Sequence, residues 1–519
     1  MERAKVKYPI GIQDFESLIK DGYLYVDKTE LIFNLVSINK YIFLSRPRRF
    51  GKSLLLSTIK AYFEGKKELF TGLAIEQLET DWKKYPVLLL GLSRTDAYDT
   101  NSLQAMLDQQ FSLWEETYGI VNKSATLSTR FADIIIKAHE TAGERVVVLV
   151  DEYDNALINT LHDKELHERN RNLLKSVYSN LKDLDAHIKF GMLTGVSRFS
   201  HMTIFSGLNN LDDITLSDNY SAICGITESE LLNYFHSGIE YMAEKEQTDR
   251  AGMVKKLKSF YDGYHFSAEC PDIYNPFSLL SAFNSGRLGS YWMRTGTPTF
   301  LVKRLMEENV NFKKLFSTEA NESLLSDSDS FNESLVSVLF QTGYLTIKSY
   351  DREWRLYKLG IPNKEVEEGL FENLMNMISD RDKAENGACI RQLVIAARNG
   401  EADNFMTLLQ SFLSGIPYPL TGNFKEIYFE NNLYVIFKMI GMYVDCEVTT
   451  AAGRIDMVVT TDRFVYLFEF KLDKSAKEAL DQIEAKDYAL PFQTDGRTLF
   501  KIGVNFSSEK RNIDDWIIT

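Results

Sequence analysis

Two groups of residues in this sequence have the types and spacing needed for chemistry. The first begins at Arg46-Pro47-Arg48-Arg49-Phe50-Gly51-Lys52-Ser53, between the apolar run 41–44 and a helical pattern from Lys52 to about Glu64. It matches GxxxxGK[ST] at every required position except the first, where Arg46 stands for glycine. In that motif backbone N–H groups at a helix N-terminus face the phosphates, the lysine neutralises them and the hydroxyl joins a Mg²⁺ shell. Gly51, Lys52 and Ser53 are therefore candidate ATP ligands, and Ser53 also a candidate Mg²⁺ ligand. A plain helix start is the alternative for a lone GKS, and the strand-to-helix setting favours the functional reading. The partner is RVVVLVDEYD at 145–154, five apolar residues ending in adjacent acids. Acids at the tip of a buried strand are costly unless they serve a cation or a water. Asp151 is read as a Mg²⁺ ligand through water, and Glu152 as the general base that activates the attacking water. A strand that simply meets solvent is the alternative. After the run HIKFGMLT at 187–194, Thr194 or Ser197 is placed to sense the γ-phosphate and Arg198 to stabilise developing charge, against a solvated loop arginine.

The second group is C-terminal: GRIDMVV at 453–459 and YLFEFK at 466–471, joined by the polar turn 460–463. An antiparallel hairpin with a period of two puts Glu469 and Lys471 on one face and brings Asp456 to the same end. Glu430, on a preceding helix, adds a further carboxylate. Acids around a divalent ion with a lysine that orients water are the parts needed to hydrolyse a phosphodiester. Asp456, Glu469 and Lys471 are the catalytic candidates, and Glu430, Asp456 and Glu469 the metal candidates. Any solvated strand pair also collects acids and lysines. Residues 420–519 hold 12 basic and 16 acidic side chains, 12 − 16 = −4. This is a poor nucleic-acid surface that calls for help from another segment or subunit.

The stretches YVDKT at 25–29, RPRRFGKS, LVDEYD, TGVSRFS, SGLNNLDDITL, YDGYHF and IYNP together resemble the bacterial AAA-ATPase-like family, in which the ATPase is fused to a C-terminal PD-(D/E)XK nuclease-like domain. The resemblance covers nearly the whole chain, and the D-x₁₂-ExK hairpin resembles the PD-(D/E)XK pattern. It implies that a missing first loop glycine is usual, that Asp27 and Lys28 lie near the nucleotide base, and that the C-terminal domain is of restriction-endonuclease type. A helix N-cap accounts equally well for Asp27. Arg48 and Arg49 lie outside the generic motif. Arg49 is kept as a nucleotide-binding candidate, with solvation as the alternative.

These residues need elements to hold them. Short apolar runs at 86–92, 145–150 and 187–194 alternate with helical patterns, the mark of parallel α/β units and a three-layer P-loop NTPase sandwich. The expected domains are a P-loop ATPase over 1–226, a helical middle with a winged element near 344–360 over 227–415, and a small α/β domain over 416–519. The chain has 519 residues, a formal charge of −14, 44% hydrophobic and 25% charged residues, which excludes a disordered or collagen-like chain. Four distant cysteines without CxxC spacing suggest neither disulfides nor a thiolate metal site. His162 and His167 read as solvated helix surface. With no apolar leader and no long apolar run, a cytoplasmic protein without a membrane partner is expected. The resulting reading is an ATPase with a Mg²⁺-dependent nuclease acting on nucleic acid, DNA foremost, with oligomerisation left open. The competing reading is a nucleotide-dependent switch whose C-terminal domain binds a partner without cutting it.

Overall fold

A computed structural model of the chain describes residues 6–93, 101–160, 163–198, 210–295, 301, 304–305, 310–326, 334–379, 381–416, 426–448, 455–492 and 496–519. Its described residues form two compact units, one from 1–292 with 318–365 and the other from 293–317 with 366–519.

The first unit is built on a five-stranded parallel sheet in the order β2-β3-β4-β1-β5. Its strands are β1 (Tyr41–Ser45), β2 (Val87–Gly91), β3 (Val146–Asp151), β4 (Ile188–Gly195) and β5 (Asp212–Asp213). All of β1 is buried, as is β3 up to its final aspartate, because helices cover both faces of a parallel sheet. The crossover helices are Lys52–Phe63, Ser102–Thr117, Leu127–Ala142 and Lys164–Tyr178. With β4 between them, β1 and β3 end at the same edge of the sheet, so the turn after β1 and the acids after β3 share one end.

Two short elements join this unit from later in the chain. β6 (Ile226–Thr227) pairs with β7 (Ile273–Tyr274). β8 (Glu319–Asn321), β9 (Thr346–Asp351) and β10 (Leu356–Gly360) make a three-stranded antiparallel sheet, with the helix Leu335–Gln341 just ahead of β9.

In the second unit the helix Glu426–Gly441 leads into a mixed sheet in the order β11-β12-β13-β14-β15. Its strands are β11 (Asp445–Val448), β12 (Met457–Thr460), β13 (Phe464–Leu472), β14 (Thr498–Ser507) and β15 (Asn512–Ile518). β13 and β14 run parallel, connected through the helix Ala476–Ala485, and the other neighbours are antiparallel. Among the described residues no helix is long and apolar enough to cross a membrane.

Candidate functional site

The turn after β1 is held from behind by its own Arg46. Arg46 is 1% exposed, and its Nη1 donates to the carbonyls of Ser45 at 2.9 Å and Thr215 at 2.8 Å. Nη2 reaches the Tyr220 carbonyl at 3.4 Å, and the guanidinium lies 4.3 Å from the centroid of the Phe266 ring. Burial lowers its pKa to about 10. The side chain that replaces the motif's first glycine thus turns into the protein interior. We expect Arg46→Gly, which restores the generic motif, to destabilise the fold by about 2–4 kcal/mol, since it strips donors from buried carbonyls and opens a cavity. Nucleotide affinity should fall with it. Thermal denaturation and calorimetric titration check this, and an unchanged melting temperature would contradict it.

Phe50 is also fully buried, edge-on to Tyr264 at 4.8 Å and to Phe266 at 5.4 Å, so the YDGYHF stretch braces the turn. Trp292 Nε1 donates to the Arg48 carbonyl at 3.0 Å. Arg49 has φ of 69° and Gly51 φ of 96°, both left-handed, a conformation glycine adopts without cost. Gly51 caps the helix Lys52–Phe63 without a side-chain bond, and the first turn holds no acid, so the opening N–H groups remain available to an anion. Lys52 is 6% exposed and Nζ donates to the carbonyls of Arg46 at 2.9 Å and Pro47 at 3.0 Å. Burial pulls its pKa down, opposed by the attraction of Asp151, Asp154 and Glu152. Ser53 is the next helical residue and is half-buried.

The acids at the end of β3 lie within electrostatic reach of this lysine. Thr194 Oγ1 donates to Asp151 Oδ1 at 2.8 Å, which fixes the end of β3 to the end of β4. Glu152 has φ of 53°, a strained value for a non-glycine residue. Burial raises its pKa, with Asp151 adding to the rise and Lys52 and Arg48 opposing it. A carboxylate raised in this way, beside a cation, has the character of a general base.

Asp154 was not singled out in the sequence. It is 1% exposed and accepts from the Val196 N–H at 3.0 Å, the Ser197 N–H at 2.6 Å and Ser197 Oγ at 2.6 Å. Its carboxylate therefore shapes the exit from β4. A Cβ on Gly195 would lie 2.5 Å from the Tyr153 ring and 2.7 Å from Asp154 Oδ1, so that position admits only glycine. The third acid of DEYD was the available signal, but its partners in GVSR lie on another strand. Ser197 is thereby bound to Asp154, while Thr194 faces Asp151. Arg198 is held on Asp213, with Nε donating at 2.8 Å and Nη2 also on the same carboxylate. Its backbone N–H donates to Gln341 Oε1 at 2.9 Å.

Asp27 accepts from the Thr29 N–H at 2.8 Å and Oγ1 at 2.6 Å, and from the Ala74 N–H at 2.7 Å, so it fixes the start of the helix Thr29–Ile38. Lys28 pairs with both oxygens of Glu230, at 2.6 and 2.7 Å. Lys28 lines an apolar cavity of about 100 Å³ beside Gly51, with Ile32, Phe50, Cys224 and Ile226 among its walls. The cavity lies next to the open helix N-terminus, whose N–H groups suit an anion. Asp27 is not among the lining residues. Arg49 and Arg48 are both exposed; the Arg49 guanidinium lies 5.2 Å from the Phe277 ring centroid.

In the second unit the register of β12 and β13 pairs Met457 with Phe468, and Asp456, just before β12, lies within electrostatic reach of Glu469 on β13. Asp456 Oδ2 accepts from the Phe470 N–H at 2.9 Å, and Lys471 Nζ donates to Glu469 Oε1 at 3.0 Å. Glu469 is 2% exposed, and its other oxygen, Oε2, is buried without a hydrogen-bond partner. Burial raises its pKa first, Asp456 adds to this, and Lys471 opposes it. A buried carboxylate with an open lone pair beside a second acid fits a divalent cation. Glu430 lies on the helix Glu426–Gly441, where Oε2 accepts from Asn311 Nδ2 at 2.7 Å. Among the described residues no group of three or more His, Cys, Asp or Glu side chains is set to hold a metal ion, so the pair stands without Glu430 as a third ligand. Gly453, within the GRIDMVV motif, lies outside the described residues, as does His162. His167, expected on solvated surface, is half-buried with Nδ1 at 3.2 Å from the Leu157 carbonyl. Its helix packs that face onto the short helix Asn155–Ile158.

Comparison with known proteins adds three findings. A family model described as a predicted AAA-ATPase matches residues 9–205. A model of the PD-(D/E)XK nuclease superfamily matches residues 424–516. A protein of Azotobacter chroococcum mcd 1, described as an uncharacterized protein in the vnfD 5' region, is 36% identical over 531 residues, covering 99% of this chain and 99% of its own length.

Proposed function

Since the chain belongs to the AAA-ATPase-like family with a C-terminal domain of the PD-(D/E)XK nuclease superfamily, we propose that it binds and hydrolyses ATP with Mg²⁺ in the first unit and cuts nucleic acid, DNA foremost, with a divalent metal in the second. The observation that carries this reading is the electrostatic attraction of buried Lys52 to Asp151 and Glu152, at or past the same ends of two parallel strands, β1 and β3, that flank β4. The open N–H groups after Gly51 and the charge of Lys52 take the phosphates, and the Lys28-lined cavity takes the base. Ser53 and Asp151 would hold Mg²⁺. Glu152 removes the proton from the attacking water. Arg198 serves as the charge-stabilising finger by exchanging Asp213 for phosphate.

In the second unit Asp456 and Glu469 would hold the metal, which when bound supplies an acidified water and screens the phosphodiester charge. Glu430 completes that site only if the helix carrying it approaches the pair. Lys471 orients the water while paired to Glu469. The divisions at 226 and 415, a cytoplasmic location and oligomerisation belong to the same proposal.

A second reading is favoured by the absence, among the described residues, of a third ligand beside the pair of acids: a nucleotide-dependent switch whose C-terminal unit binds a partner and cuts nothing. Incubating the full chain with labelled DNA and RNA, with Mg²⁺ or Mn²⁺ and with or without ATP, separates the two. We expect metal-dependent fragments from one of the substrates. Intact substrate under every condition, alongside measurable phosphate release, selects the switch.

A further inference from the structure

The candidate hydrolytic centre carries a cation from a segment outside the 424–516 match. Residues 310–316 are fastened to the helix Glu426–Gly441 by three polar contacts. Asn311 Nδ2 donates to Glu430 Oε2 at 2.7 Å, the Phe312 N–H donates to Asn431 Oδ1 at 2.9 Å, and Asn431 Nδ2 donates to the Val310 carbonyl at 2.8 Å. Phe312 and Phe316 are buried, and the Phe316 ring packs against Phe371 at 5.7 Å and Tyr434 at 6.4 Å between centroids. The segment is therefore docked at both its polar and its apolar positions. Between those anchors stands Lys313, half-buried, within electrostatic reach of Asp456 and Glu430.

Two features set Lys313 apart from an ordinary counter-ion. Lys471, the other lysine of the site, is already bonded to Glu469, whereas no described carboxylate pairs directly with Lys313. A polyanion approaching Asp456, Glu469 and Glu430 meets three carboxylates against the single Lys471, in residues 420–519 whose own balance is −4. Without an additional cation that approach is repelled.

We propose that Lys313 forms part of the substrate-binding surface of this centre and takes a backbone phosphate of a nucleic acid lying against Asp456. The inference rests on the nuclease reading of Asp456 and Glu469 and extends that site to a residue the hairpin motif does not contain. An ammonium suits the task because it contacts phosphate as a compact point charge without base specificity.

The test uses the full chain with Lys313→Met, which keeps the length of the stem, Lys313→Gln, and Lys313→Arg. Binding of a fluorescein-labelled duplex DNA is followed by anisotropy in EDTA over a salt series, and cleavage with Mn²⁺ is followed in parallel, with Asp456→Asn as the reference variant. Loss of one phosphate contact should weaken binding roughly tenfold for Met and Gln and reduce the slope of log affinity against log salt by about 0.9, with Arg retaining the slope. Cleavage should fall with binding, while Asp456→Asn loses cleavage and keeps binding. Unchanged affinity and slope in folded Lys313→Met or Lys313→Gln, with wild type still cutting, overturns the role of Lys313 alone and leaves it a counter-ion. A wild type that neither binds nor cuts, with Asp456→Asn equally silent, removes the nuclease reading and this inference together.

Discussion

Glu152→Gln is expected to lower ATP turnover by about 10²–10⁴-fold while leaving nucleotide affinity within a few-fold of wild type. The amide keeps the volume and position of the carboxylate but cannot accept the proton of the attacking water. The effect is confined to turnover because Glu152 acts on the water and not on the phosphates, so it touches the transition state and spares ground-state binding. Lys52→Ala should behave in the opposite way. Its ammonium now spans the Arg46 and Pro47 carbonyls with Asp151, Asp154 and Glu152 nearby, and nothing else buried in the turn carries positive charge toward the phosphates. Removing it should abolish measurable ATP binding and leave the three acids less compensated. Calorimetric titration reads the first quantity and phosphate release the second. Equal turnover in wild type and Glu152→Gln would remove the base assignment, and tight ATP binding by Lys52→Ala would remove the phosphate loop itself.

Periodicity carried most of the architecture, and the exceptions have physical causes. The runs at 41–44, 145–150 and 187–194 appear as β1, β3 and β4 within a residue or two because a parallel strand buried on both faces must be continuously apolar. β5 is two aspartates bonded to β1, with no hydrophobic signal to betray it. β15 reads NIDDWII, an edge strand whose apolar residues do not alternate with period two, and its antiparallel pairing to β14 is set by the chain's return. At the site the same division holds. The nearness of Asp456 to Glu469 follows from a hairpin with a short turn, visible in sequence. The inward turn of Arg46 depends on Thr215, Tyr220 and Phe266, which no local pattern connects to it. Lys313 is equally hidden, since NFKKLF is an ordinary short amphipathic stretch until Asn431 and Tyr434 receive it.

Asp456→Asn should abolish metal-dependent cleavage, a loss of at least about 10²-fold, and at the same time raise the melting temperature of the metal-free protein at neutral pH by a few degrees, equivalent to about 1 kcal/mol. Asparagine can still accept the Phe470 N–H through its carbonyl oxygen, so the hairpin keeps its register while one of two nearby like charges disappears. The sign of the stability change follows from Glu469. Its folded pKa lies above its unfolded value because of burial and because of Asp456, so the folded state binds the proton more tightly. Metal-free stability therefore falls as pH rises from the unfolded glutamate range through the raised folded value, and is greatest on the acid side of that window for this group. Removing the Asp456 charge narrows the window, which flattens the pH dependence and raises stability above it. A bound divalent ion should produce the same stabilisation in wild type, because it neutralises both carboxylates, and should produce much less in the variant. Melting curves at several pH values, with EDTA and with Mn²⁺, measure all of this without any substrate. If Asp456→Asn shifts neither the curve nor its response to Mn²⁺, Asp456 and Glu469 do not share a cation, and the C-terminal unit is then an ATP-controlled binding module for an unidentified partner.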